Sequence, residues 1–445
     1  MNMSPKFLVL SLGLALSVPS FAAPEEVSAF LEGHAILPVN STVAAPSDAP
    51  SDMKISGKYT TGKRIEKLAA VPGKSADRLT GISLPIENQP RQGHSGIKHM
   101  DDGTFWVISD NGFGNKINSY DSMLYLNQYQ IDFKDGSVKP LKSIFLHDPD
   151  RKVPFHITNE STEKRYLSGH DFDPESFQFA GGFLWVGDEF GPFLIKADMN
   201  GKILEVFDTK VDGKIVRSPD NPYIQLQGAP DGKAPFEVTR SKGFEGMASS
   251  PDGTKLYPLL EGALWDGSQY ENIDGKRYLR ILEFDTQKGE WTGRHWKFVL
   301  DENHHAIGDF NMIDDEHGLI IERDNGEGTA DKACKTGEPT AKCFSDIAKF
   351  KRIYRIEMNN ENVGKEAYKQ AYIDLLKIQD PKNVSRVGLN DGVFKFPFFT
   401  IEDVDVVDAN HIVVGNDNNF PGSSSRDPNK ADDNEFILLK VEGLL

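Results

Sequence analysis

Glu175-Ser176-Phe177 followed by Leu184-Trp185-Val186-Gly187-Asp188-Glu189 is one instance of a phrase that this chain uses five times. The others are Ser95-Gly96-Ile97 with Trp106-Val107-Ile108-Ser109-Asp110-Asn111-Gly112, and Glu245-Gly246-Met247 with Leu256-Tyr257-Pro258-Leu259-Leu260-Glu261-Gly262. Then come Asp309-Phe310-Asn311 with Leu319-Ile320-Ile321-Glu322-Arg323-Asp324-Asn325-Gly326, and Glu402-Asp403-Val404 with His411-Ile412-Val413-Val414-Gly415-Asn416-Asp417-Asn418. Self-similarity at long intervals is the signature of a propeller or solenoid.

Each unit carries a third apolar run, at Ser122 to Leu126, Pro192 to Lys196, Arg277 to Leu282, Lys351 to Ile356 and Glu435 to Leu439. Turn dipeptides such as Asp102-Gly103, Asp135-Gly136, Asn200-Gly201, Asp252-Gly253 and Asp274-Gly275 separate the runs, where hairpins need backbone angles that Gly, Asn and Asp tolerate. Short strands in repeated sets predict an all-β chain, a β-propeller with blades around an axis. The units recur about every 65 to 95 residues, longer than the ~40 to 50 of compact propeller repeats, so the loops are long. The stretch Ile55 to Pro90 has strand-like runs of its own, Lys58 to Ala70 and Leu79 to Ile86. It reads as a degenerate sixth blade or as the strand that closes the ring against Phe436 to Val441. Six blades are the expectation, with five as the alternative. Helical periodicity is confined to Val363 to Leu376.

The repeats run from near residue 90 to the end of the 445-residue chain and leave no room for a second core. Met1 to Ala22 reads as a secretory signal: Lys6 supplies the charge, Phe7 to Val18 the apolar run, and Ser20-Phe21-Ala22 a small-x-small cleavage site. The division is then signal (1–22), extended arm or linker (23–54, with Pro46 and Pro50) and propeller (55–445). The apolar run is short for a bilayer span, so a periplasmic or secreted protein without membrane insertion is expected. Formal charge is −17, and loss of Lys6 with the signal makes it −18. Such a field repels nucleic acid and anionic membrane and suits cations. The two cysteines, Cys334 and Cys343, share one polar loop. In an oxidising compartment a disulfide is the expectation, and a metal pair lacks a nearby histidine. Oligomeric state is not legible.

In a propeller, equivalent residues of different blades converge on the axis. The acids Glu175, Glu245, Asp309 and Glu402 of the first strands, with Asp110, Asp188, Glu189, Glu261, Glu322, Asp324 and Asp417 at the second strands' ends, are therefore expected to form a ring. One acid at a strand end is commonly a turn former. Recurrence at one register, with Glu where a turn has no need of Glu, points to a shared site. Clustered carboxylates raise one another's pKa unless a cation neutralises them, and that many oxygens favour calcium, with magnesium second.

Gly-x-Ser-x-Gly, His-Glu-x-x-His, a nucleotide-binding glycine loop and an EF-hand loop are all missing. His94, His170 and the pair His304-His305 precede first strands and are acid/base candidates by position. Lys98, Arg240, Lys242 and Arg323 flank the acids, as neutralising groups for an anionic ester or as plain salt-bridge partners.

Gly93-His94-Ser95-Gly96-Ile97, Ser109-Asp110-Asn111-Gly112, Asp171-Phe172-Asp173-Pro174-Glu175-Ser176, Gly187-Asp188-Glu189-Phe190-Gly191 and Gly243-Phe244-Glu245-Gly246-Met247 together resemble the bacterial phytase-like proteins described by esterase-like activity of phytase. The likeness runs from about Ile55 to the C-terminus. It implies an exported β-propeller with calcium on an acidic face, hydrolysis of phosphoric esters such as phytate, and site roles for Glu175, Asp188, Glu189, Glu245, Glu261 and Glu322, with Lys242 or Arg323 assisting. Two other readings stand beside it: a non-catalytic calcium-binding propeller for calcium handling or partner binding, and a metal-dependent lactonase or esterase, which requires a histidine at the metal.

Overall fold

The computed structural model describes residues 23–225, 235–390 and 392–445, so the signal reading at 1–22 lies outside the described residues. The chain is an all-β propeller. Among the described residues there are five four-stranded antiparallel sheets, and helix is confined to single 3₁₀ turns. Blade one is His94–His99, Phe105–Ser109, Tyr125–Asp132 and Ser137–Phe145. Blade two is Pro174–Ala180, Phe183–Asp188, Phe193–Ala197 and Ile203–Asp208. Blade three is Phe244–Ser249, Lys255–Leu260, Lys276–Asp285 and Glu290–Val299. Blade four is Ala306–Met312, His317–Arg323, Lys351–Glu357 and Tyr368–Asp374. Blade five is Asp403–Asp408, His411–Gly415, Asn434–Lys440 and, from the N-terminal end of the chain, Phe30–Leu37.

The cycle closes because each sheet is apolar on both faces. Successive residues of a strand point to opposite sides, so Trp106 and Ile108 enter the core shared with Phe177 and Val186 of blade two, while Val107 enters the core shared with Val413 and Phe436 of blade five. Ile412 and Val414 pack against Leu319 and Ile321 of blade four, and Ile320 against Ile281 and Phe298 of blade three. Trp185 and Leu194 with Met247 and Phe284 complete the circuit between blades two and three. Five sheets share five such cores, and the first strands contact one another in cyclic order around the axis.

Ile55 to Pro90 does not supply a sixth sheet of this kind. It forms one hairpin, Val71–Ser75 with Arg78–Leu84, and two-residue pairings on either side of it. Pro72, Gly73, Gly81 and Pro85 interrupt it, and a proline cannot donate to an interior ladder. Nor does it close the ring. That strand is Phe30–Leu37, inside the region expected to be an arm: Ala35 lies opposite Phe436, and the buried His34 Nε2 meets Glu435 Oε2 at 3.0 Å. Val363 to Leu376 is likewise not helical; Tyr368–Asp374 is the outer strand of blade four. Cys334 and Cys343 are joined in a disulfide, as expected.

Candidate functional site: an acidic mouth on the propeller axis

The repeated phrase encodes a bulge. In blade two Pro174 lies opposite Asp188 and Ser176 opposite Gly187, which leaves Glu175 as the extra residue. In blade three Phe244 faces Leu260 and Gly246 faces Leu259, leaving Glu245. A bulge of this kind bends the strand and re-aims a side chain. Aligning the five blades on their pairings puts Ser95, Glu175, Glu245, Gly308 and Glu402 at the bulge position. The same alignment puts Asp110, Glu189, Glu261, Arg323 and Asp417 just past the second strand. Three of these second-layer residues are tied down alike: the N–H of Asp110, Glu189 and Glu261 donates to the carbonyl of Gly93, Asp173 and Gly243 at 2.8, 2.9 and 2.8 Å. Two glycines make room for the layer. A Cβ on Gly93, whose φ is +59°, would overlap the Asp110 carboxylate, and one on Gly243 would strike the backbone of Glu189.

The mouth therefore gathers Asp110, Glu175, Glu189, Glu245, Glu261, Glu402 and Asp417, and adds Asp173. Ligand oxygens of Asp173, Glu175 and Glu189 lie within 4.8 Å of one another, as do those of Glu189, Glu245 and Glu261. Burial, and then the neighbouring carboxylates, push Glu175, Glu189, Glu245, Asp110 and Asp417 well above the usual carboxylate range. Asp173 is raised to about 7, chiefly by burial. Two cations stand among them. Lys242 Nζ pairs with Glu261 Oε2 at 2.6 Å, and Arg323 Nη2 with Glu402 Oε1 at 3.2 Å. Burial works against the charge on Lys242, but Glu261, Glu189 and Glu245 outweigh it and its pKa is raised.

Four expected ring members lie elsewhere, three of them because the acids of blade four stand one residue to either side of the positions that Gly308 and Arg323 occupy. Asp309 aligns with Ser176 and Gly246, one place after the bulge, and its carboxylate accepts from the amides of Ile97, Val404 and Phe310 at 3.3, 3.3 and 2.8 Å. Glu322 turns between blades to Asp301 N (2.7 Å), His305 Nδ1 (2.8 Å) and Lys369 Nζ (2.6 Å). Asp324 braces a turn through Lys349 N, Phe350 N and Lys351. In blade two, Asp188 precedes the second-layer position and accepts from Asp173 N and Gly191 N at 2.8 and 2.7 Å.

The histidines are not at the mouth. His94 is fully buried between Tyr129 and Phe436, with its ring pushed down to about 3 by burial, so it does not carry a proton near neutrality. His170 stacks on Tyr120 at 3.9 Å and its Nδ1 meets Lys116 O at 2.9 Å, while His305 is held by Glu322. Lys98 and Arg240 pair with Asp405 and Asp220. Lys98 also belongs to a polar plug deeper in the channel, where Asn311 Oδ1 accepts from Lys98 Nζ at 3.1 Å and from Gln178 Nε2 at 2.8 Å. Asp173 was missed at the sequence level because it precedes the repeat phrase; the run Asp173-Pro174-Glu175 was the signal that could have found it.

The family model for phytase-like proteins, described by esterase-like activity of phytase, matches residues 89–420. An uncharacterized secreted protein of Arthroderma benhamiae is 33% identical over 118 residues, a stretch that spans 23% of this chain and only 22% of that protein. Among solved structures, U3-55K is similar at TM-score 0.30 and 10% identity, over 78% of this chain and 95% of that one. Sqt1 of Saccharomyces cerevisiae is similar at TM-score 0.28 and 13% identity, over 81% and 74%.

Proposed function

This chain belongs to the phytase-like family, which supports a hydrolase-type function on a small-molecule ester, and we propose that it is an exported, calcium-dependent hydrolase of phosphoric esters working at the acidic mouth. One observation carries the reading. Buried oxygens of Glu189 and Glu261 have no hydrogen-bond partner within a cluster of mutually repelling carboxylates. A buried unpaired acceptor is costly, and a hard cation with six to eight oxygen ligands removes both that cost and the repulsion. The residues present fit such an ion. Asp173, Glu175 and Glu189 would hold it, or Glu189, Glu245 and Glu261, with Glu189 common to both groups.

When bound there, a divalent cation supplies Lewis-acid polarisation of a phosphoryl oxygen and a more acidic water. Lys242 and Arg323 contribute positive charge toward the phosphate, Arg323 through a fork that matches phosphate geometry. With the ion held by Glu189, Glu245 and Glu261, Asp173 is not a ligand, and its carboxylate is the group placed to accept and return a proton. His94 and His170 take no part in this reading, because neither joins the mouth. Export to the periplasm or the medium belongs to the same proposal. It is supported by the Lys6 and Phe7 to Val18 pattern and by the secreted relative.

Calorimetric titration of metal-stripped protein with calcium, followed by phosphate release from phytate and simple monoesters in the same samples, tests it. Binding with calcium-dependent release is expected. Release that ignores calcium, or that is lost only on Ser95→Ala, would overturn the mechanism, and binding without release would leave a calcium-handling protein.

A further inference from the structure

Beside the mouth lies a cavity of about 560 Å³, a volume typical of small-molecule sites. Its apolar wall is made by Val71 and Pro72 from the hairpin that the blades do not use, Phe113 from the loop after blade one's second strand, and Phe399, Phe420 and Pro421 around blade five, while Thr60, Asn118 and Asn419 are among its polar lining. Two residues join it to the acidic cluster. Asp110 belongs to both. Arg323, paired with Glu402, places its guanidinium 5.6 Å from the centre of the Phe399 ring. Phe399 is 37% exposed and presents its ring to the cavity. Among the described residues Lys74 is the one basic residue lining the cavity, against the acids Asp110 and Glu327, and Glu327 is already bonded to Arg78.

We infer that this cavity receives the alcohol part of the ester, and that the preferred substrates are phosphoric monoesters of apolar aryl or alkyl alcohols. The inference rests on the hydrolase reading above for the position of the phosphate, while the cavity itself is independent of it. Hydrolysis breaks the bond between phosphorus and the alcohol oxygen. The oxygen of water goes to phosphorus, and one of its protons leaves on the alcohol, which is released in the cavity. An inositol bearing many phosphates is a poor fit. Its charges would meet the acids Asp110 and Glu327 with Lys74 to offset them, so the cavity opposes a polyanion.

The test uses the full chain with calcium, and two variants. Phe399→Ala removes a partly exposed ring, and Val71→Asp puts a charge on the hairpin's share of the lining; thermal melts establish that both fold. Binding of 1-naphthol, followed by its own fluorescence, is expected to weaken about fivefold in Phe399→Ala, the scale of one aromatic contact, and more in Val71→Asp. Benzyl phosphate is expected to exceed methyl phosphate in kcat/KM by at least about tenfold, since their alcohols are of similar acidity and differ in apolar bulk. 1-Naphthol that does not bind, or binds folded wild type and variants alike, overturns the inference whatever the hydrolysis shows. Equal kcat/KM for the two phosphates, or faster turnover of phytate, does the same while leaving the hydrolase reading in place. Variant-sensitive binding without hydrolysis of any ester sustains the cavity assignment and sinks the hydrolase reading.

Discussion

Glu245→Gln should stabilise the metal-free protein and weaken calcium binding at once. Glu245 shares its group with Glu189 and Glu261, with oxygens within 4.8 Å. Two unit charges at that distance repel by about 3.5 kcal/mol at an effective dielectric constant of about 20. Two such pairs set an upper bound, which proton uptake by the raised carboxyls and the attraction of Lys242 both reduce. A net gain of about 1–3 kcal/mol at pH 8 remains, or a rise in Tm of about 1–3 °C for a chain this long. In calcium the sign reverses. Loss of one anionic ligand worth about 2 kcal/mol weakens binding by about 30-fold, and the stabilisation by free calcium shrinks accordingly. Melts of both proteins in chelator and in excess calcium, with calorimetric titration, should show the variant melting above wild type without calcium and closing or reversing the gap with it. A variant that melts lower in chelator would mean that Glu245 is a structural acceptor. An unchanged calcium affinity would mean that the ion, if bound, sits elsewhere, and either result refutes the reasoning.

Asp309→Ala should cost about 1–3 kcal/mol, because it strands the amides of Ile97, Val404 and Phe310, yet leave calcium affinity within about twofold; denaturant melts and calorimetry separate the two. For Glu435, burial raises the pKa, but the Arg426 charge and bonds to Arg426 and His34 outweigh it and hold the carboxyl at about 2 against an ordinary 4.5. A depressed carboxylate stabilises fully above its unfolded pKa and loses that contribution as pH falls through the folded value, so ring closure should weaken between about pH 4.5 and 2. The difference in stability between wild type and Glu435→Gln, about 3 kcal/mol at neutral pH, should vanish across that window in pH-dependent melts. Replacing Cys334 and Cys343 by serine opens a short loop and should cost at most about 2–3 kcal/mol, with calcium binding intact by calorimetry.

The blades were legible because the repeat phrase is apolar on both sides of each second strand, as in Ile412-Val413-Val414, and only stacking between two neighbouring sheets buries both faces. The closing strand was not. Phe30 to Leu37 carries Glu32, Gly33 and His34 in its middle, and only its pairing with Asn434–Lys440, with Glu435 placed to receive His34, makes a buried strand of it. The acids divided on the same principle. Sequence spacing located Glu175 and Glu245, which stand at equivalent bulges, but it could not show that blade four enters its bulge one residue early. The identity of an acid survives such a slip while its direction does not, so Asp309 and Glu322 became structural acceptors.

That slip gives the mouth its polarity. Glycine and arginine, Gly308 and Arg323, occupy the two positions of blade four where blades two and three each place two glutamates. A ring of ten acids would repel any anion until it was saturated with cations. Three of those ten positions carry no acid, Ser95, Gly308 and Arg323, and the pair in blade four, with its guanidinium, leaves a gap in the negative charge on that side, where an incoming phosphate is opposed least. The gap is not placed at random around the axis. Arg323 leans on Phe399, and Phe399 lines the apolar cavity, so the least acidic sector of the mouth is also the one beside the space available for an alcohol. A monoester with its phosphate toward Arg323 and its carbon skeleton toward Phe399 satisfies both halves of the site. A simple inorganic anion or a bare cation would use only one of them.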